Sequence, residues 1–169
     1  MILEALHDLV IVPLAELTLK KQDFNSSSAV LNSYLQTQAP QDEKRELAKC
    51  FVLINQKNEQ IIGYYTLSAT LIKVENIPKA NIQKKIRYPN IPAVLVGRLA
   101  IDQRFVGQGY GKFLIADVLH KVSNAKMGIA TLLVEAKDDN AIAFYKKLGF
   151  IQFLDKKENL FLPLTKLIK

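Results

Sequence analysis

The run Ala93-Val-Leu-Val-Gly97-Arg-Leu-Ala-Ile101, followed after Asp102–Val106 by Gly107-Gln-Gly109-Tyr-Gly111-Lys112, decides the fold. Val94, Val96 and Ala100 lie on one alternate face of the first run, and Leu95, Leu99 and Ile101 on the other. A strand apolar on both faces is covered on both, so Ala93–Ile101 is expected at the centre of a sheet. Gly97 inside it marks a bulge or a close backbone approach. Arg98, inside a buried strand, is expected to be paired structurally. Beyond the glycines, Leu114, Ile115, Val118, Leu119 and Val122 form one stripe, which predicts a helix over Gly109–Lys126. Ala130–Ala136 is β-branched and Leu-rich and reads as the next strand. A strand–helix–strand crossover of this kind makes its two strands parallel.

The glycine cluster sits directly between strand and helix. Glycine permits a tight turn and close backbone approach to a ligand. The first N–H groups of a helix lack internal partners and lie at its positive end. Together they suit a pyrophosphate. A P-loop would need Ser or Thr after Gly111-Lys112, where Phe113 stands, and a dinucleotide-binding loop would need glycine at Lys112. Two readings remain: the pyrophosphate loop of an acetyltransferase, and a plain flexible turn.

Outward from this centre, Leu14–Lys20 reads as a strand, and Asn25–Ser28 offers N-caps for a helix through Ala29–Leu31 and Tyr34-Leu35. Pro40 is expected to stop that helix, with Gln41–Lys49 a second short one. Phe51–Ile54 and Ile61–Ile72, separated by a polar turn, read as an antiparallel hairpin. Pro78 opens a basic segment containing Lys79, Lys84, Lys85 and Arg87. Asp138–Leu148 is a helix capped by Asp138 or Asp139 and stopped by Gly149. Phe150–Leu154 and Leu160–Leu164 close as a terminal hairpin. No repeat or linker interrupts the chain, so residues 1–169 are read as a single domain. The fold class is α/β: a mixed, mostly antiparallel central sheet with one parallel crossover pair and helices on both faces.

Composition agrees with a globular protein: 169 residues, 49% hydrophobic and 23% charged. No apolar run approaches the ~20 residues that span a bilayer. Met1–Val12 carries Glu4 and Asp8, unlike a secretory leader. The single cysteine, Cys50, reads as a small buried hydrophobe and suits a reducing cytosol, so a cytoplasmic location is expected. His7 and His120 have no metal-ligand spacing, and no metal is expected. The net charge of +7 favours an anionic partner.

The glycine loop, together with Ala141-Ile-Ala-Phe-Tyr145-Lys-Lys-Leu-Gly-Phe150 downstream, resembles the GNAT acetyltransferase superfamily, over roughly Phe51 to Phe150. In the preferred frame Gly109 and Gly111 fill the family's glycine positions and Val106 departs from its Arg/Gln. A second frame takes Arg104, Gly107 and Gly109. Asp138 stands where the family commonly has Asn. The resemblance implies acetyl-CoA as cosubstrate, held by backbone groups of Leu99, Ala100 and Ile101 and by Gly107, Gln108, Gly109, Tyr110, Gly111 and Lys112, with Asp138 nearby. It makes Tyr145 the candidate general acid, where helical spacing alone would also allow simple packing. No general base is evident; Glu135 and Asp138 are candidates. An α-amine, with a reference pKa of ~8, needs less help to become neutral than a lysine at ~10.4.

A narrower resemblance runs through Ile62-Gly-Tyr-Tyr-Thr-Leu67, the basic Ile77–Tyr88 stretch and Ile91–Asp102. These look like the acetyltransferase toxins of bacterial toxin–antitoxin pairs. That implies acetylation of the α-amino group of aminoacyl-tRNA, an antitoxin partner of ribbon-helix-helix type, and a homodimer. Lys79, Lys84, Lys85 and Arg87 would then face tRNA, where otherwise they are a solvated helix face. A housekeeping acetyltransferase of a small amine, peptide or protein N-terminus, and a non-catalytic acyl-CoA sensor, are the competing readings; Tyr145 speaks against the sensor.

Overall fold

The computed structural model describes residues 6–164 except Lys79. Its strands are β1 Leu9–Pro13, β2 Lys49–Asn55, β3 Gln60–Lys73, β4 Asn90–Ile101, β5 Thr131–Glu135, β6 Ile151–Gln152 and β7 Asn159–Pro163. They form one seven-stranded sheet in the order β1-β2-β3-β4-β5-β7-β6. The β4–β5 pairing is parallel, while β1 with β2, β2 with β3, β5 with β7 and β6 with β7 are antiparallel. The helices that bear on function are α1 Ala29–Ser33, α2 Ala39–Lys44, α3 Ala80–Lys85, α4 Tyr110–Ser123 and α5 Asp139–Lys147. The mixed sheet, the β2–β3 hairpin, the β4-α4-β5 crossover and the terminal β6–β7 pair all match the sequence expectation.

Three expectations at the front of the chain are corrected. The first strand is Leu9–Pro13, not Leu14–Lys20, whose span opens with a 3₁₀ turn, Leu14–Glu16, and is followed by another, Lys21–Asp23. Leu9-Val-Ile-Val12 is a continuous apolar run that pairs with β2, whereas the step from Leu14 to Leu17 is three residues and breaks the period of two. Pro40 does not end the helix. Ser28 caps α1 through Leu31 N–H (3.3 Å), and the chain then passes through a π-turn, Tyr34–Gln38, where Ala39 N–H donates to Tyr34 C=O. That turn places Pro40 in the first turn of α2, where its missing N–H costs no ladder bond. The second helix is correspondingly short, and Lys49 already belongs to β2.

The chain groups into two compact units: Met1–Leu67 with Arg98–Asp117, and Ser68–Gly97 with Val118–Lys169. The first has a core of Phe24, Tyr34, Leu35, Cys50, Val52, Tyr64 and Ala100. Cys50 is buried as expected, and that burial pushes its thiol up to about 12. The second unit's core includes Ile72, Ile77, Ile91, Phe153 and Phe161. Among the described residues no helix is long and apolar enough to cross a membrane.

Candidate active site

The parallel register joins Ala93–Val96 of β4 to Thr131–Val134 of β5, and β4 then runs on to Ile101. Leu99 and Ile101 are half-buried and Ala100 is buried. Asp102 N–H closes the strand on Ile62 C=O at 2.8 Å. A 3₁₀ turn, Gln103–Phe105, follows, and then the glycines.

Gly107 and Gly109 have φ of +79° and +87°, torsions that L side chains rarely adopt. A Cβ at either would meet nothing within 4 Å, so torsion and not space demands glycine there. Gly111 lies inside α4 and is not among the glycines with positive φ. In the preferred frame of Val106, Gly109 and Gly111 the last glycine falls in the first turn of α4, and in the second frame Gly107 and Gly109 are the two glycines with positive φ. Gln108, Gly109 and Lys112 are exposed and Tyr110 and Gly111 half-exposed, so this rim faces solvent. Phe113 N–H bonds to Gly109 C=O (3.1 Å), which starts the α4 ladder and leaves the first-turn N–H groups without intrahelical acceptors.

Asp102, which sequence reasoning passed over, organises the approach to this loop. Its carboxylate is 1% exposed and accepts from Arg104 N–H (3.0 Å), Arg104 Nε (2.9 Å), Arg104 Nη2 (3.0 Å) and Asn25 N–H (2.9 Å). Burial alone would raise this carboxyl; the bonds from the Arg104 side chain and backbone and from the Asn25 backbone outweigh it and hold the group below its ordinary range. Gln103 adds N–H to Asn25 C=O (2.9 Å) and Nε2 to Ser26 C=O (3.1 Å). The loop is thus tied to the segment that caps α1.

The structural partner of Arg98 is an aromatic ring. Among the described residues no carboxylate stands in ion-pairing range of it; its guanidinium carbon lies 3.6 Å from the centroid of the Tyr34 ring. Tyr34 donates its hydroxyl to Asp42 (2.8 Å), which also accepts from Gln38 Nε2 (2.9 Å). The Gln38 bond first, and the Tyr34 bond next, hold the Asp42 carboxyl below its usual value.

In the second unit, Asp138 caps α5 by accepting from Ala141 N–H (2.8 Å), so the side chain assigned to cofactor binding already has a structural partner. The helix ends with Gly149 at φ +94° and Phe150 N–H on Tyr145 C=O (3.1 Å). Tyr145 is 6% exposed, with Phe144 and Phe150 at centroid distances of 5.1 and 5.3 Å. Burial pushes its phenol up to about 12. Its hydroxyl makes no hydrogen bond among the described residues, and the one fully buried oxygen left without a partner there is Thr131 Oγ1. Glu135, a candidate base, is exposed at the end of β5.

Also in this unit, Ile82 of α3 is buried and Ile86 packs on the same cluster, leaving Lys84, Lys85 and Arg87 exposed. Gln83 Nε2 bonds to Ile77 C=O, and Val74 N–H to Pro89 C=O, fixing the two ends of the segment. Lys79 lies outside the described residues. Among the described residues no three His, Cys, Asp or Glu side chains gather as a metal site would need.

Comparison with known proteins adds to this geometry. Residues 17–168 match the model of the acetyltransferase (GNAT) domain. A tRNA-acetylating toxin of Mycobacterium tuberculosis (strain ATCC 25618 / H37Rv) is 28% identical over 129 residues, 75% of each chain. Among solved structures, AtaT complexed with acetyl-methionyl-tRNAfMet is similar with a TM-score of 0.86 and 35% identity, covering 92% of this chain and 95% of that one. A mutant AtaT toxin bound to the C-terminus of the antitoxin AtaR and acetyl-CoA is similar at 0.79 and 30%, covering 95% and 96%. A glycine turn with positive φ at the head of α4, a buried tyrosine in the family's second motif and a domain match over nearly the whole chain agree: this protein belongs to the GNAT acetyltransferase family.

Proposed function

We propose that this chain acts as a single acetyltransferase domain that moves the acetyl group of acetyl-CoA onto the α-amino group of aminoacyl-tRNA, and is the toxin of a toxin–antitoxin pair. The observation that carries the reading is the domain match together with 35% identity, across 92% of the chain, to a toxin captured with an acetylated aminoacyl-tRNA. An acetylated α-amine can no longer attack, so translation stops. The antitoxin is the partner, as AtaR is of AtaT. The cytoplasm, where charged tRNA and acetyl-CoA meet, is the compartment.

Each step falls to residues already described. The N–H groups of Gly107–Lys112 receive the pyrophosphate at the positive end of α4. Backbone groups of Leu99–Ile101, on β4 beyond the register with β5, hold the pantetheine as a strand would, and an N–H there stabilises the developing oxyanion. The neutral amine attacks the thioester, the C–N bond forms, and the C–S bond breaks. Tyr145 donates a hydrogen bond to the departing sulfur. A phenol at about 12 against a thiol near ~8.5 makes complete proton transfer uphill, so Tyr145 acts chiefly by stabilising the thiolate while the proton lost by the amine settles the balance. An α-amine of pKa ~8 is already substantially neutral at physiological pH, so no dedicated base is required.

The test is labelled acetyl-CoA with charged tRNA, run with wild type and Tyr145→Phe, beside growth after induction. Label on aminoacyl-tRNA and arrest by wild type, both lost in Tyr145→Phe with acetyl-CoA binding kept, are expected. Unlabelled tRNA with thiol release on small amines or peptides would refute the acceptor.

A further inference from the structure

The Arg98 guanidinium is a cation of the first unit that the mechanism leaves without a task. It is half-buried on β4, immediately before the Leu99–Ile101 stretch. Its backbone N–H is fixed by the buried Thr66 Oγ1 at 3.0 Å. Its side chain lies over Tyr34, which stacks on Tyr64 (6.4 Å, 14°) and is anchored by Asp42. Tyr64 is fully buried, donates to Leu31 C=O (2.7 Å) and meets Phe24 edge-on at 5.5 Å. The guanidinium is therefore held over a stack of aromatic rings that are themselves hydrogen-bonded in place.

Stacking occupies the face of a guanidinium and leaves its edge, the five-donor fork, for a planar or tetrahedral oxyanion. No side-chain acceptor among the described residues takes those donors; Asp42 has both oxygens engaged by Tyr34 and Gln38. The Tyr34 ring and the Asp42 carboxylate nearby offset the charge without taking up the fork's N–H groups, which are left to bond a ligand. The π-turn that begins at Tyr34 points the same way, since such turns collect at functional sites. The acceptor under the reading above carries a matching anion: the phosphodiester that joins its last two nucleotides, close to the esterified amino acid.

We propose that Arg98 receives the 3′-terminal phosphodiester of aminoacyl-tRNA through the free edge of its guanidinium and so sets the reach of the α-amine to the thioester. This rests on the acceptor reading above. It makes Arg98 a binding and positioning residue, distinct from the exposed lysines of α3.

The experiment uses the charged tRNA that wild type acetylates, cut in two ways. A guanosine-specific ribonuclease leaves an aminoacyl-oligonucleotide that keeps the terminal phosphodiester. A pyrimidine-specific ribonuclease leaves aminoacyl-adenosine without it. The readout is the ratio of kcat/KM for the two fragments. Arg98→Gln is expected to lower that ratio by about tenfold or more, mainly through KM of the oligonucleotide, as loss of a charge-assisted bond does. Arg98→Lys, which keeps charge without the planar fork, is expected to fall between. Equal losses on both fragments, or an unchanged ratio in either variant, would overturn the proposal and leave Arg98 as packing. Should wild type act only on the oligonucleotide, Arg98→Gln must fall to the same floor; retained turnover overturns it. Should Arg98→Gln not fold, judged by thermal unfolding, the ratio in Arg98→Lys decides alone. Failure of wild type to label charged tRNA or either fragment is a separate result, which removes the acceptor reading itself and Arg98's role with it.

Discussion

Placing one methyl group on Gly63 tests whether β4 is as tightly seated as the cofactor role requires. A Cβ there would lie 2.7 Å from Ala100 C=O, 2.7 Å from Ile101 Cδ1 and 3.4 Å from Leu114 Cδ1. The Ile101 methyl can swing aside, but the Ala100 oxygen is backbone, and Asp102, two residues on, is bonded to Ile62 C=O at 2.8 Å. Reaching an ordinary contact moves that carbonyl by roughly 0.7 Å, an overpacking strain of about 1–3 kcal/mol. At this chain length Tm falls by about 2–4 °C per kcal/mol. Because Ala100 lies in the stretch assigned to the pantetheine, the same shift displaces the thioester; misplacement by ~1 Å costs up to ~100-fold, so about tenfold in kcat/KM is expected for Gly63→Ala. The assay is thermal unfolding beside initial rates over a range of acetyl-CoA. Lower Tm with higher KM for acetyl-CoA is the expected pair. Unchanged Tm with unchanged kcat/KM would show that β4 yields freely, and would refute the argument that its backbone positions the cosubstrate.

Three further expectations follow from particular groups. Asp102→Asn should destabilise by about 2–3 kcal/mol, since it turns one acceptor of a four-donor cluster into a donor. The Asp102 carboxyl is lowered in the fold, so its contribution is present above the unfolded value of ~3.9 and is lost as pH falls through the folded one; the gap between wild type and variant in chemical denaturation should close below about pH 4, and a gap that grows there would contradict it. The pH profile of kcat/KM should rise with the acceptor amine, near ~8, and show no falling limb below pH ~10, because Tyr145 is pushed up to about 12; a falling limb near 9 that vanishes in Tyr145→Phe would contradict this. Replacing Lys84, Lys85 and Arg87 together with Gln should weaken tRNA binding and reduce the slope of log K against log salt by roughly 2–3, at ~0.7–0.9 per phosphate contact; an unaltered slope would remove α3 from the interface.

The sheet was legible because its signals are local. Alternation in Ala93–Ile101, the stripe of α4 and the turn residues between β2 and β3 each state their element within a few residues. The glycine loop was legible as the turn between β4 and α4, whereas the left-handed torsions of Gly107 and Gly109 and the place of Gly111 inside the helix appear only in the folded chain. The front of the chain was misread where leucines at uneven steps outweighed the continuous run of β1. Asp102 and Arg98 were not legible for a different reason. Arg104 stands two residues from Asp102, but the burial that makes their pairing matter comes with partners far along the chain: Asn25 is 77 residues from Asp102, and Tyr34 lies in another element from Arg98. Tyr145 stood out by motif, whereas its burial and raised phenol are properties of Phe144 and Phe150 packed around it.

The π-turn at Tyr34–Gln38 makes the spacing between α1 and α2 a matter of chain length. Such a turn holds one residue more than an α-helix would need over the same rise. Deleting a single residue within it would therefore leave the helix unbroken in composition while rotating everything after it by ~100°. Asp42 would swing out of reach of Tyr34, and Pro40 would meet a regular ladder in which its ring clashes, at ~3 kcal/mol. Substitutions in this segment can thus be mild where a one-residue deletion is not, so that drift in length, more than drift in residue type, is what this stretch of the gene cannot tolerate.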